Sequence, residues 1–220
     1  EAATDAAQTV SLRHLADVQP GYAFSSEDFG ADADGVRVLR GINVGVGGIR
    51  WDQAERVPAE HAVTMSDFEL LEGDVVVGMD RPWIGSGLRI ARLTADDVPS
   101  LLLQRVARLV AGPRVTGDYL YWMLRGSRFR SGVEGELTGL SVPHISGDQI
   151  GSFAVPERSV ADQRRVTAYL FSEENRIGLG RALLTRRAER LAEYQQALIS
   201  AAVSGEFDVT TASGRALPTV

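Results

Sequence analysis

The sequence predicts an α+β protein: a globular mixed α/β domain followed by a long, coiled-coil-forming α-helix. Three observations predict it. Short stretches of alternating or β-branched apolar residues, such as "VRVLRGINV" and "EGDVVVGM", recur between Gly- and Pro-rich turns up to Pro156. One amphipathic segment, "TGDYLYWMLRGSRFRSGV" (116–133), interrupts them. Then no proline occurs from Asp162 to Ser204, and Leu170, Ile177, Leu184, Leu191 and Leu198 recur every seven residues. That period keeps one seam of a helix facing a partner helix.

Taken in order, residues 1–9 are Ala, Thr, Asp and Gln in the main and read as a disordered leader, and Val10–Val18 opens the structured part. "PGYAFSSEDFG" is a turn and loop with an aromatic pair, Tyr22 and Phe24. Residues 36–44 alternate and read as a strand, "GVGG" (45–48) as a turn, and "VPAEHAV" as a short helical turn. "LLEGDVVVGM" (70–79) is a turn and a buried strand, with "GLRIARL" (87–93) as its antiparallel partner. "SLLLQRVARLV" (100–110) fits either strand or helix. Residues 116–133 form a helix with Tyr119, Leu120, Met123 and Leu124 on one face, and 140–156 supply a loop and a final strand. The globular domain is thus 10–160, a long helix 161–205 and a loose tail 206–220. Gly178 and Gly180 weaken the middle of that helix and mark a bend, and Gly205 stops it.

The bulk composition, 44% hydrophobic and 24% charged over 220 residues, is that of an ordinary globular protein. No apolar run approaches the roughly 18–20 residues that span a bilayer, and the first ten residues lack the basic start and apolar core of a signal peptide. Cytoplasmic location is the expectation. The first residue is Glu, not Met, consistent with processing or with a piece of something longer.

All 23 cationic residues are arginine. Chemistry that requires lysine, such as a phosphate-loop lysine or a Schiff base, is therefore excluded. The net charge of -6 disfavours nucleic acid at first sight. Its distribution softens that objection. Residues 1–35 hold seven acids against Arg13, which leaves the rest neutral, and 81–130 are locally basic. Local field decides whether a face attracts phosphate.

No catalytic constellation assembles. His14, His61 and His144 are far apart and none has metal-ligand spacing. There is no Gly-x-Ser-x-Gly elbow, and "GVGG" lacks the helix and lysine of a phosphate loop. The sequence argues for a binding protein. Its loops are rich in groups that suit DNA. "LRGIN" offers Arg40 and Asn43, "MDRPWIGSG" offers Arg81, Trp83 and Ser86, and "LTGLSVPHIS" offers Thr138, Ser141 and His144. Arginine and asparagine match guanine and adenine edges, and Ser, Thr and backbone N–H groups match phosphates. These loops are expected to converge on one face.

In this order and spacing, "VSLRHLADVQPGYAF", "VRVLRGINV", "EGDVVV", "DYLYWMLRGS", "VPHISGDQIGSFAVP", "VADQRRVTAYL" and "RRAERLAEYQQALISAAVSGEFDV" carry a resemblance. The chain resembles half of the specificity subunit of type I restriction–modification systems, over about residues 10 to 208. The resemblance implies a target-recognition domain that reads half of a split double-stranded DNA sequence in the major groove. It implies that the long helix packs antiparallel on another and docks methyltransferase (modification) subunits, with a restriction subunit joining for cleavage. Cofactors belong to those partners. Such a subunit has two recognition domains, and this chain has one. It either pairs with a second copy of itself or is one half of a two-domain subunit. The seam Leu170, Ile177, Leu184, Leu191 and Leu198 would then bury in either arrangement. A non-enzymatic protein-interaction adaptor with a dimerising helix is the alternative, and an enzyme a third.

Overall fold

Gly, Pro and Asp punctuate the first part of the chain so densely that the longest strand there, among the described residues, has six residues. The computed structural model describes residues 8–24, 29, 34–85, 87–134 and 143–206. The elements run β1 (Thr9–Ser11), β2 (Ala16–Pro20), β3 (Val36–Leu39), β4 (Glu55–Val57), α1 (Ala59–Val63), β5 (Glu69–Leu70) and β6 (Val75–Gly78). They continue with β7 (Trp83–Ile84), β8 (Gly87–Leu88), β9 (Ile90–Arg92), β10 (Ser100–Leu102), β11 (Val106–Ala111), α2 (Gly117–Arg125), α3 (Ser127–Glu134), α4 (Gly147–Ser152), β12 (Ala154–Pro156) and α5 (Val160–Ser204).

Two four-stranded sheets carry the first unit, in the orders β4-β3-β10-β5 and β2-β11-β6-β9. In the first, β10 runs parallel to β3, with Leu101 opposite Val38. The second is antiparallel, and Val76 of β6 lies between Arg108 of β11 and Ala91 of β9. One apolar core serves both sheets. Leu39, Leu70 and Leu102 come from one, Val76, Ala91 and Val106 from the other, and Val44 and Leu93 from the connections. Each such Leu or Val side chain contributes about 1.5–3 kcal/mol on burial. A second cluster, Phe24, Val38, Val57 and Leu101, backs the first sheet.

The strand expected over 36–44 ends at Leu39. Arg40 donates its backbone N–H to Oδ1 of Asn43 at 3.0 Å, and Asn43 returns its own to the Arg40 carbonyl at 2.9 Å, turning the chain into a single 3-10 turn. The ambiguous 100–110 resolves into β10 and β11, joined by a tight turn in which Arg105 is left-handed (φ 68). The single helix expected over 116–133 is two, because Gly126 is extended (φ -70, ψ 152) and separates α2 from α3. Tyr119, Leu120 and Leu124 do form the buried face of α2, joined by Tyr121. Within 140–156 the sequence reading missed α4, whose N-terminus is closed by reciprocal bonds between Ser146 and Gln149. β12 pairs with β1, which begins at Thr9 inside the stretch read as leader. The "GVGG" turn and the β6–β9 pairing are as expected.

The long helix is present as α5, 45 residues or about 68 Å at 1.5 Å per residue. Ser159 starts it, accepting the Asp162 N–H at 3.1 Å and donating to the Asp162 carboxylate at 2.8 Å. Gly205, left-handed at φ 78, follows its end. The helix runs through Gly178 and Gly180. The chain divides into two compact units, Glu1–Thr167 and Ala168–Val220. The division falls inside α5, because Gln163 and Thr167 are buried in the first unit.

Candidate nucleic-acid interface

Two of the sequence-predicted loops meet at Asp80. His144 brings Nδ1 to within 2.7 Å of Asp80 Oδ1, and Arg81 donates its backbone N–H to the carbonyl of Pro143 at 2.7 Å. The 80–83 loop and the 143–146 segment are therefore one surface. Ile145 N–H extends the seam to the Met79 carbonyl at 2.9 Å, and Met79 N–H to the Arg105 carbonyl at 2.9 Å. The β10–β11 turn thus joins the same patch, with Arg105 Nη1 3.6 Å from the same Asp80 oxygen.

The 40–50 loop is tied in by Arg89, which is 7% exposed. Its Nε donates to the Val44 carbonyl at 3.0 Å and its Nη1 to the Asp80 carbonyl at 2.9 Å. Burial, with repulsion from Arg50, holds the Arg89 guanidinium below its ordinary pKa, while Asp80 opposes the shift and Arg81 adds to it. Arg50, Arg81 and Arg105 are exposed. The patch is a cluster of arginines with Asp80 at its centre.

The predicted residues separate into two kinds. Arg81 is exposed, left-handed (φ 44), and its side chain makes no hydrogen bond or ion pair among the described residues. His144 is a third exposed and held by Asp80. Both can face a ligand. Asn43 cannot: it is 1% exposed, and its amide accepts from Arg40 and donates to the Arg50 carbonyl at 2.9 Å. Arg40 is likewise spent, on Glu55 and on the Gln53 carbonyl at 2.8 Å. These two build the turn. Trp83 is half-buried in the β7–β8 hairpin, its ring 6.2 Å from that of Phe129. Ser86, Thr138 and Ser141 lie outside the described residues.

Sequence reasoning missed Arg50, Arg89 and Arg105 as members of this patch. It saw the basicity of 81–130, but much of that charge is spent elsewhere: Arg92 pairs with Asp118, Arg108 with Asp74, Arg114 with Glu157 and Arg130 with Glu134. The signal that could have found Arg105 is its place between two apolar runs, where a strand-to-strand turn belongs.

On α5, Ile177, Leu184 and Leu191 are 52%, 68% and 60% exposed, and Leu170 and Leu198 half-buried. Leu179, Leu183, Tyr194 and Ile199 add further exposed apolar area.

No protein-family model matches the chain. A type I restriction enzyme specificity subunit, MjaVIII from Methanocaldococcus jannaschii, is 25% identical over 203 residues, covering 92% of this chain and 46% of that protein. The EcoAI specificity subunit from Escherichia coli is 34% identical over 148 residues, 66% of this chain and 24% of that protein. The chain spans about half the length, or less, of the curated relatives it matches. Among solved structures, one described as the structural basis of complex assembly and conformational transition of the type I R-M system superposes with a TM-score of 0.69 at 15% identity, over 92% of this chain and 47% of that one. The α+β architecture with a long C-terminal helix is common to both.

Proposed function

We propose that this chain, whose curated homologues are specificity subunits of type I restriction enzymes, is a non-catalytic DNA-specificity subunit of half length. Its first unit reads one arm of a split double-stranded sequence in the major groove. Its long helix pairs with a second copy of the chain or with the second half of the specificity subunit, and docks methyltransferase subunits, which a restriction subunit joins. Catalysis and its cofactors belong to those partners, and the assembly works in the cytoplasm. No described helix is long and apolar enough to cross a membrane.

The observation that carries this reading is the convergence of Arg81, His144 and Arg105 on one Asp80-centred surface. Exposed arginines beside a histidine supply what base edges require, namely directional N–H donors. Selection of duplexes from a random DNA library tests it. The purified chain, with the subunits that accompany it, should enrich one short motif, and log K should fall linearly with log salt concentration as counterions are released. Failure to enrich any motif, together with salt-insensitive binding to a protein ligand, would replace this reading by that of an interaction adaptor.

A further inference from the structure

We infer that Arg105 is a specificity-determining residue that reads a guanine edge. The inference rests on the DNA-reading proposal above. Three observations carry it.

Arg105 is held in the left-handed region at φ 68, where glycine is favoured, and so is its neighbour in space Arg81 at φ 44. Two arginines thus occupy strained positions on one surface. Strain of this kind persists where the surroundings enforce it and clusters at functional sites. Here the surroundings are visible. The Arg105 carbonyl accepts Met79 N–H, the Asp80 carbonyl accepts the buried Arg89, and Arg81 N–H is bound by Pro143. Both arginines therefore leave a fixed backbone.

Second, the guanidinium of Arg105 is oriented but not consumed. Its Nη1 lies 3.6 Å from Asp80 Oδ1, too long for a hydrogen bond, and its side chain is 59% exposed. His144 takes that same oxygen at 2.7 Å. The carboxylate biases the direction of the fork and leaves its N–H donors available. Arg108, Arg114 and Arg130, by contrast, are each closed by a hydrogen-bonded acid.

Third, Asp80 selects the class of partner. A carboxylate beside the guanidinium repels a phosphate by Coulomb's law. It penalises far less an uncharged base edge that offers two acceptors. The O6 and N7 atoms of guanine are such an edge, and arginine is its usual bidentate partner.

Selection from a random duplex library, run on wild type and variants of the full chain with its accompanying subunits, tests this. Arg105→Lys keeps the charge and loses the fork. Arg105→Gly relieves the left-handed backbone, so its melting temperature should equal or exceed that of wild type. Both should lose preference at one G·C position of each arm that this chain reads, by about tenfold, with the other positions unchanged. Asp80→Asn should raise affinity for non-specific duplex while lowering discrimination. A motif unchanged in the Arg105 variants overturns the inference. So does a uniform loss across all sequences with the salt slope reduced by about one, which is the signature of a phosphate contact. So does Asp80→Asn with non-specific affinity unchanged or weakened. If the wild type enriches no motif, the DNA-reading proposal itself fails.

Discussion

Oε1 of Gln163, the fourth residue of α5, accepts the backbone N–H of Thr116, the residue that caps α2, at 2.9 Å. Its Nε2 donates to the carbonyls of Arg114 at 2.8 Å and Arg158 at 2.9 Å. One side chain, 2% exposed, thus satisfies three backbone groups and welds the first turns of the long helix to the first unit.

Gln163→Ala would leave three backbone groups without partners. The expected cost is about 1–3 kcal/mol of stability, read as a lowered midpoint in urea denaturation followed by near-ultraviolet circular dichroism. Gln163→Glu should fare little better, because a carboxylate cannot donate to Arg114 and Arg158. An unchanged midpoint in both variants would show that the helix start is held by other contacts.

Asn43 and Arg81 were drawn from the sequence as equivalents, and the structure predicts opposite behaviour. Asn43→Ala breaks the bonds to Arg40 and Arg50 and should lower stability by about 1–3 kcal/mol. Arg81→Ala removes an exposed side chain and should leave stability within about 0.5 kcal/mol. It should instead weaken DNA binding by about 1–3 kcal/mol where it meets a guanine. Paired melting and binding titrations check this. An Asn43 variant of native stability, or an Arg81 variant of native affinity, contradicts the assignment.

The exposed line of Ile177, Leu184 and Leu191 predicts a partner for α5. Leu184→Asp and Leu191→Asp together place charges in an apolar contact, at a cost far above that of a surface change. Light scattering should show a smaller assembly, with helical content retained. Assemblies of wild-type size with the fold intact would mean that the seam is not the contact.

Much of the architecture was legible because it depends on local pattern. The β-branched run of β6, the alternation of β9, the Thr116-capped start of α2 and the seven-residue period of α5 each follow from neighbours in sequence. What escaped depends on distant partners. Nothing near Gly126 announces that α2 ends there, since an extended glycine inside an amphipathic run costs little to overlook. The short α4 is made by a reciprocal cap between Ser146 and Gln149, too brief for periodicity to register. The site divided in the same way. Arg81 and His144 were visible as polar residues in loops, whereas Asn43 was misjudged as a base reader because its burial arises from the fold of the 40–50 loop. Arg89 lies between apolar neighbours in β8 and β9, and its role as the tie between Val44 and Asp80 exists only in three dimensions.

On the function proposed above, this chain supplies the sequence preference of a DNA-modifying assembly by reading one arm of a split site. The most direct measurement is the methylation map of the host genome with the gene present and deleted. Deletion should abolish methylation at a gapped motif, two short arms separated by unspecified bases, and Arg81→Ala should weaken or relax each arm that this chain reads and leave the gap unchanged. Methylation unaffected by deletion, or a lost motif that is continuous, would contradict it.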